Sequence, residues 1–467
     1  MAIPVLTLES MRAWETNTWE KGILEEEVIA RVGQRLGEKL MAVSRPGDNL
    51  LMLAGKGHNG DDVRAACPWI SRRNLKLINV RHPEEQLNAL QQALSESPDF
   101  IVEGLFGIGL NRPLEGAWAE VVRHVNASEA VTISVDIPSG LDVNTGKPLG
   151  TTIEANETWT VGAVKSGMLA SGASKYVGRI EVISDVGLID LPDHGTEIYF
   201  GEDSDFSFHP SISPLESHKG TYGCTMIFAG SRGYHGAAVL AARGASRARP
   251  GLVELSTHES AYQPVASQLQ NVMVFPVKNH LLIPPKATSI VMGPGLASDE
   301  IPRALRSQVA EVWESFPAPV IIDASALDWL PATGGPKSAL RVITPHPGEA
   351  ARMLGVETTA IQADRPTALR RLSEKYGNCL VVLKGHQTLI GDASSPIYVN
   401  PSGNPTLAQG GTGDILAGFL GGLMAQQRFN QNPLLTLRYG VWMHGRAADL
   451  CGNHSQAWSF DRLLESM

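Results

Sequence analysis

The strongest chemical signal in this 467-residue sequence is a glycine-rich segment that carries a carboxylate. Residues 410–413 read Gly-Gly-Thr-Gly, Asp414 follows, and an apolar helical run begins there. The free N–H groups at a helix N-terminus suit a phosphate, and glycine lets the backbone approach it closely. Because a carboxylate repels phosphate, Asp414 is either a base beside a phosphoryl donor or a helix-capping residue.

Three further segments of the second half follow predicted strands. They are residues 292–295 (MGPG), 344–349 (TPHPGE) and 383–388 (LKGHQT). Open α/β sheets bind ligands at the carboxyl ends of their strands, where these loops would lie. Each segment alone is also compatible with an ordinary turn or hairpin, but the four together favour a ligand site.

The first half has its own set of strand-end loops, at residues 54–62 (AGKGHNGDD), 103–110 (EGLFGIGL) and 135–142 (VDIPSGLD). Each contains an acidic or amide side chain, and the three could converge on one pocket. Asp136 is the candidate for chemistry, although a turn carboxylate that accepts from backbone N–H groups is the alternative.

Alternating strands and helices must position these loops. Apolar strands at 50–54, 75–80, 100–103 and 131–136 alternate with helices, and a second series starts at residue 225. This alternation predicts parallel sheets covered by helices on both faces. An acidic, Pro/Ser-rich stretch, 189–219, is the expected linker. We therefore predict two α/β domains, residues 1–210 with the linker and residues 211–467, the first of them Rossmann-like (α/β/α).

Charge and composition exclude several function classes. The net charge of −9 divides into −12 for residues 1–210 (18 Lys+Arg, 30 Asp+Glu) and +3 for residues 211–467 (21 and 18). Neither part has a basic stripe, so a nucleic-acid partner is not expected. No apolar run is long enough for a membrane span, and the start lacks signal-peptide features. The four cysteines lie far apart without metal spacing, which favours free thiols in the cytoplasm.

The second-half motifs in their order, which also include AGSRGYHGAAVLAARGAS (229–246) and GVWMHGRAADL (440–450), resemble the NAD(P)H-hydrate dehydratase family of the ribokinase-like fold. The resemblance implies conversion of the damaged cofactors NADHX or NADPHX back to NADH or NADPH. ADP or ATP is consumed with Mg²⁺, because a ring hydroxyl is phosphorylated and phosphate then leaves.

The resemblance also implies roles for single residues. Asp414 is the catalytic acid/base that touches the hydrate. Ser325 departs from the family pattern, which has a second aspartate at that position. The remaining implied residues line the hydrate site (Ala237, Gly295, His346) or hold the adenine nucleotide (Lys384, Gly385, His386, Gln387, Thr388, Gly413).

The first-half loops resemble the NAD(P)H-hydrate epimerase domain, the YjeF N-terminal-like family, which interconverts the R and S hydrates. Asp136 is implied to handle the proton. The implied hydrate-binding residues are His58, Asn59, Gly60, Asp61, Asp62, Gly107, Ile108, Gly109, Leu110, Asn111, Arg112 and Pro113, and the implied potassium ligands are Asn59, Glu103 and Ser139. Asp61 stands where the family has glycine, and Glu103 where it has aspartate.

Two alternatives remain open at this point. The second half could be a ribokinase-like vitamin kinase, which shares the glycine-aspartate loop. The first half could be a non-catalytic binding or assembly module, since Asp61 and Glu103 depart from the epimerase pattern. The resemblance implies a homo-oligomer but leaves open ADP against ATP and NADHX against NADPHX.

Overall fold

The computed structural model describes residues 2–192, 195–207, 209, 215–332, 339–452 and 458–467. The chain divides into two compact units, Ile3–Thr196 and Glu197–Met467. The predicted boundary after residue 210 therefore lies 14 residues (210 minus 196) inside the second unit.

The first unit is built around a parallel sheet in the order β3-β2-β4-β5-β6-β8. Its helices and strands are β1 (Ile3–Leu6), α1 (Leu8–Glu20), α2 (Glu25–Val43), β2 (Asn49–Ala54), α3 (His58–Ala66), β3 (Asn74–Asn79), α4 (Pro83–Ser95), β4 (Phe100–Gly104), α5 (Gly116–Asn126), β5 (Val131–Val135), β6 (Glu157–Val161), β7 (Val164–Lys165), α6 (Ser174–Val177) and β8 (Arg179–Ile183).

Both faces of this sheet are buried. Along β2, Leu51 and Leu53 enter the apolar cluster on one face, whereas Met52 and Ala54 enter the cluster on the other. Side chains alternate between faces with a period of two, so a strand covered on both sides is apolar throughout. The sequence prediction of a doubly covered parallel sheet is confirmed for this unit.

The second unit contains a mixed sheet in the order β12-β11-β10-β13-β14-β15-β16-β17-β18-β9. Its helices and strands are β9 (Ile198–Phe200), β10 (Cys224–Phe228), α7 (His235–Arg247), β11 (Leu252–His258), α8 (Tyr262–Ala266), β12 (Met273–Val277), β13 (Ser289–Met292), α9 (Arg303–Ser315), β14 (Val320–Ile322), β15 (Arg341–Ile343), α10 (Pro347–Leu354), α11 (Thr358–Ala363), α12 (Arg365–Lys375), β16 (Leu380–Leu383), β17 (Leu389–Gly391), β18 (Ile397–Val399), α13 (Thr412–Met424), α14 (Pro433–Cys451) and α15 (Phe460–Glu465).

The seven strands from β10 to β16 are parallel to one another. Strand β17 is antiparallel to both of its neighbours, β16 and β18. Strand β9 pairs with β18, so Ile198–Phe200 belongs to the sheet. This pairing corrects the expectation of a linker over 189–219. A strand of only three residues with acidic residues nearby gives no clear apolar pattern in the sequence, so it was not predicted. Within the described stretches, no helix is both long and apolar enough to cross a membrane.

Candidate active sites

The carboxyl ends of consecutive parallel strands assemble the site of the second unit. Gly293 follows β13, Asp323 follows β14, Thr344 follows β15 and Lys384 follows β16. Asp414 lies in the first turn of α13. Parallel strands end at the same edge of a sheet, so segments far apart in the sequence meet there.

A buried ion pair forms the floor of this site. Lys384 Nζ donates to Asp323 Oδ1 at 2.7 Å, and Thr344 Oγ1 donates to the same oxygen at 2.7 Å. Glu349 Oε2 lies 3.8 Å from Lys384 Nζ. The Asp323 side chain is 2% exposed and that of Lys384 is 18% exposed, so the lysine alone retains access to a ligand.

The surroundings of Asp414 raise its pKa toward neutral pH. Burial raises its pKa to about 7, the negative charges of Asp323 and Glu349 act in the same direction, and Lys384 opposes them. Burial disfavours the charge on Lys384 itself, but the surrounding carboxylates outweigh it and raise the lysine pKa. A carboxylate with a pKa near the working pH is suited to accept and return a proton.

The N-terminus of α13 faces Lys384. A Cβ atom placed on Gly413 would lie 3.4 Å from Lys384 Nζ. Gly411 precedes the helix with φ of +110°, a conformation that L side chains rarely adopt. Free helix N–H groups and a lysine ammonium therefore meet at one point, and this arrangement binds anions.

The segment Lys384–Thr388, which the sequence assigns to the nucleotide, is the turn between β16 and β17. Arg365, at the start of α12, donates to the main-chain oxygens of Leu383, His386 and Gln387. Burial lowers the pKa of Arg365 to about 10, so the guanidinium remains charged at neutral pH. The sequence analysis missed this residue, because its role depends on a contact between segments 18 or more residues apart.

The contacts of the residues expected at the hydrate fall into two groups. Ala237 and Gly295 adjoin, since a Cβ on Gly295 would lie 2.9 Å from the Ala237 Cβ. His346 caps α10: its Nδ1 accepts from the N–H of Gly348, and its own N–H donates to Glu349. His346 thus connects to Lys384 through Glu349, while the structure gives no contact between His346 and the Ala237–Gly295 pair.

The first unit contains a cavity of about 630 Å³. Its wall includes most of the residues that the sequence assigns to the hydrate, namely His58, Asn59, Asp62, Gly107, Ile108, Gly109, Leu110, Asn111, Arg112 and Asp136. Gly60, Asp61 and Pro113 are not part of the wall. Gly60 packs against the backbone of Gly55, and Asp61 pairs with Arg64 at 2.7 Å.

Asp136 has a strained backbone and a buried ammonium group as partner. It follows β5 with φ of +65°, an uncommon backbone conformation for a residue other than glycine. Its Oδ1 accepts from the N–H of Val161 and from the ammonium group of Lys165. The Lys165 side chain is fully buried, and its Nζ also donates to Thr160 Oγ1 and Val161 O, both at 2.9 Å. The sequence analysis gave Lys165 no role.

Among the three residues expected to bind potassium, Glu103 provides a second buried carboxyl group. Glu103 is fully buried and accepts from the hydroxyl groups of Ser134 and Ser139 at 2.5 and 2.6 Å, and burial raises its pKa. Asn59 Nδ2 donates to two main-chain oxygens, while the buried Asn59 Oδ1 has no hydrogen-bond partner among the described residues. A buried amide oxygen without a partner leaves a ligand position open, and such an oxygen suits a monovalent cation.

Each of the two units matches a known protein family. Residues 225–466 match the family described as NAD(P)H-hydrate dehydratase, and residues 74–167 match the YjeF-related protein N-terminus. A curated bifunctional NAD(P)H-hydrate repair enzyme from Coxiella burnetii is 31% identical over 470 residues, which is 94% of this chain and 93% of that protein. The chain belongs to the bifunctional NAD(P)H-hydrate repair enzyme family.

Other members of this repair-enzyme family are similarly close. The protein of the same name from Escherichia coli K12 is 31% identical over 451 residues, covering 92% of this chain and 86% of that protein. A crystallised ADP/ATP-dependent NAD(P)H-hydrate dehydratase from Bacillus subtilis is 30% identical, covers 55% of this chain and 91% of that one, and has a TM-score of 0.49. Membership rests on the family matches and the curated relatives. It confirms both resemblances and decides against the vitamin-kinase alternative.

Proposed function

We propose that this chain repairs hydrated nicotinamide cofactors. The second unit dehydrates the S form of NADHX or NADPHX with consumption of ADP or ATP, and the first unit interconverts the R and S forms. The observation that carries the proposal is Asp414, a carboxylate with a pKa near neutrality at the N-terminus of α13 beside Lys384. A phosphate site alone has no need for such a group.

Asp414 acts on the hydroxyl group of the hydrate. As a carboxylate it accepts the hydroxyl proton while the oxygen takes the terminal phosphoryl group of the nucleotide. Phosphorylation converts a poor leaving group into a good one. Phosphate then departs while the neighbouring ring carbon loses a proton to water, so the ring double bond is restored. The N–H groups of α13 and the Lys384 ammonium stabilise the negative charge that moves between nucleotide and hydrate.

The turn Lys384–Thr388 binds the adenine nucleotide in this scheme. Arg365 holds its main-chain oxygens, so the turn is fixed before the nucleotide arrives. A preformed turn avoids the entropic cost of ordering a loop on binding. Mg²⁺ carried by the nucleotide supplies positive charge to the phosphates.

In the first unit, Asp136 exchanges the proton of the hydrate, and the buried ammonium group of Lys165 pairs with its carboxyl group. Asn59, Glu103 and Ser139 would hold a potassium ion, which would supply positive charge beside the hydrate-binding loop 107–113. We further propose that the reaction takes place in the cytoplasm, in agreement with the four free cysteines. We also propose that the chain forms a homo-oligomer, and light scattering of the purified chain tests this.

The experiment for the dehydratase uses the full chain, the S hydrate and ADP or ATP, with NADH absorbance as the readout. We expect Asp414→Asn to abolish nucleotide-dependent NADH formation while the thermal unfolding transition persists. Asp328→Asn is the control, since Asp328 is an exposed partner of Arg352 outside the site. Near-normal turnover by Asp414→Asn would disprove the proposed role of this carboxylate.

A further inference from the structure

Two carboxylic acids on the wall of the first unit's cavity have opposite surroundings. Asp136 accepts from a buried ammonium and a main-chain N–H, which favour its charged form. Asp62, on the first turns of α3, is 9% exposed and makes no side-chain hydrogen bond or ion pair with any residue that the structure describes. Asp136 thus has hydrogen-bond donors that stabilise a carboxylate, whereas Asp62 has none among the described residues.

The neighbours of Asp62 disfavour its charge. Burial is the main cause that raises its pKa well above the ordinary value, and the charges of Asp136 and Asp61 add to it. Lys165 acts in the opposite direction, but its ammonium is already bonded to Asp136. The other ionisable groups on the cavity wall are Arg12 and Glu15 of α1, Glu25 of α2, Lys56, His58 and Arg112.

We propose that Asp62 is the general acid of the epimerisation, paired with Asp136 as the base. This inference rests on the proposed epimerase function and adds a catalytic role to a residue that the sequence assigns only to binding. Pairs of carboxyl groups whose environments separate their protonation states are the usual basis for such a division of work.

The chemistry balances with these two groups and water. Asp62 gives its proton to the hydroxyl oxygen, the C–O bond breaks, and water leaves as the lone pair of the ring nitrogen stabilises the cation. A water molecule then adds to the opposite face of the same carbon and loses one proton to Asp136. The product has the opposite configuration, and the two acids have exchanged protonation states, so each direction of the reaction prepares the enzyme for the other.

Glu15 is the competing candidate, because it lines the same cavity and burial also raises its pKa. It is less buried than Asp62 and lies on α1, whereas Asp62 lies on α3, the helix that follows β2. The carboxyl ends of β2 and β5 lie at one sheet edge, so Asp62, in the helix that follows β2, and Asp136, directly after β5, both reach the cavity wall.

The test measures R-to-S conversion by the full chain and its variants in ¹⁸O-labelled water, with the rate, the ¹⁸O content and the pH profile as readouts. Asp62→Asn is isosteric and removes the acid. We expect its kcat to fall at least about 100-fold with KM within about threefold, and its pH profile to lose the decline at high pH. In the unmodified chain each epimerisation incorporates one ¹⁸O atom. Asp185→Asn, an exposed aspartate outside the cavity wall, is the control.

Three results would overturn the assignment. Asp62→Asn with an unchanged kcat and a raised KM would make Asp62 a binding residue only. Loss of conversion in Glu15→Gln but not in Asp62→Asn would transfer the acid to Glu15. Epimerisation without ¹⁸O incorporation would exclude C–O cleavage. If the unmodified chain does not epimerise above the spontaneous rate, the proposed epimerase function itself fails, and this outcome is distinct from the other three.

Discussion

Asp414 predicts a characteristic pH dependence of dehydration. The group must be ionised to accept a proton, and its pKa is about 7 because it is buried near Asp323 and Glu349. We therefore expect kcat/KM for the S hydrate to rise about tenfold per pH unit below about pH 7 and to level off above it. Initial rates between about pH 5 and 9 measure this, with KM for the nucleotide determined at each pH. A profile that is flat through pH 7 would show that Asp414 is not the base.

The Lys384–Asp323 pair links stability to nucleotide binding. Lys384→Met leaves the carboxylate of Asp323 buried with Thr344 as its remaining polar partner. We expect a loss of about 3 kcal/mol in unfolding free energy, together with a raised KM for the nucleotide. Urea unfolding followed by nucleotide kinetics measures both.

The double variant Lys384→Met/Asp323→Asn is the matched control. Removal of both charges should recover most of the stability but not the nucleotide affinity, because position 323 no longer carries a buried charge and Glu349 keeps its hydrogen bond from the N–H of His346. Recovery of both properties would mean that Lys384 has only a structural role.

The orphaned Asn59 oxygen predicts a specific response to potassium. A cation that binds Asn59 Oδ1 and Glu103 stabilises the folded first unit, and the gain grows with the logarithm of its concentration above its Kd. We expect KCl, compared with NaCl at the same ionic strength, to raise the melting temperature of the chain, and Asn59→Leu to remove the difference. Equal melting temperatures in the two salts would show that these residues do not form a potassium site.

At the scale of elements, the pairing of α13 with α7 explains how the glycine-rich motif serves both packing and chemistry. A Cβ on Gly418 would overlap the carbonyl oxygen of Ala241, so the two helices approach closely only with glycine there. By contrast, a Cβ on Gly413 would contact only Lys384 Nζ. Gly418 therefore allows the close approach of the two helices, and Gly413 leaves room for a ligand at the site.

Two alanine substitutions separate these roles. Gly418→Ala should destabilise the chain by about 2–3 kcal/mol through overpacking. Gly413→Ala should leave stability unchanged or raise it by about 0.5–1 kcal/mol, but should raise the nucleotide KM at least about tenfold because the methyl group occupies the anion site. Thermal unfolding and nucleotide kinetics distinguish them, and a Gly413→Ala variant with normal KM would contradict this account.

Elements with a strong apolar period were predictable from the sequence, and contacts between them were not. The strands predicted at 50–54, 75–80, 100–103 and 131–136 appear as β2, β3, β4 and β5 with ends within one residue, since strongly apolar runs have few alternatives. Short strands such as β9 and β18 depend on their partners. In the same way, Asp414 was evident from local chemistry, whereas Arg365 and Lys165 act on segments 18 to 29 residues away.

On the scale of the whole molecule, the two units divide one repair task. The second unit uses only the S hydrate in this account, so it recovers only the S part of a mixture of R and S hydrates. The first unit removes this limit by converting R to S. Substitution of Asp136 and substitution of Asp414 should therefore affect different parts of the task, although both residues are carried by a single chain.

The most direct test supplies the pure R hydrate of NADH, with ADP or ATP, to the full chain and follows NADH absorbance against the spontaneous rate. The account predicts complete conversion by the unmodified chain. It predicts only the spontaneous rate for Asp136→Asn, which still consumes the S hydrate, and no nucleotide-dependent NADH for Asp414→Asn with either hydrate. Normal conversion of the R hydrate by Asp136→Asn, or of the S hydrate by Asp414→Asn, would contradict the account. Failure of the unmodified chain on R but not on S would make the first unit a non-catalytic module.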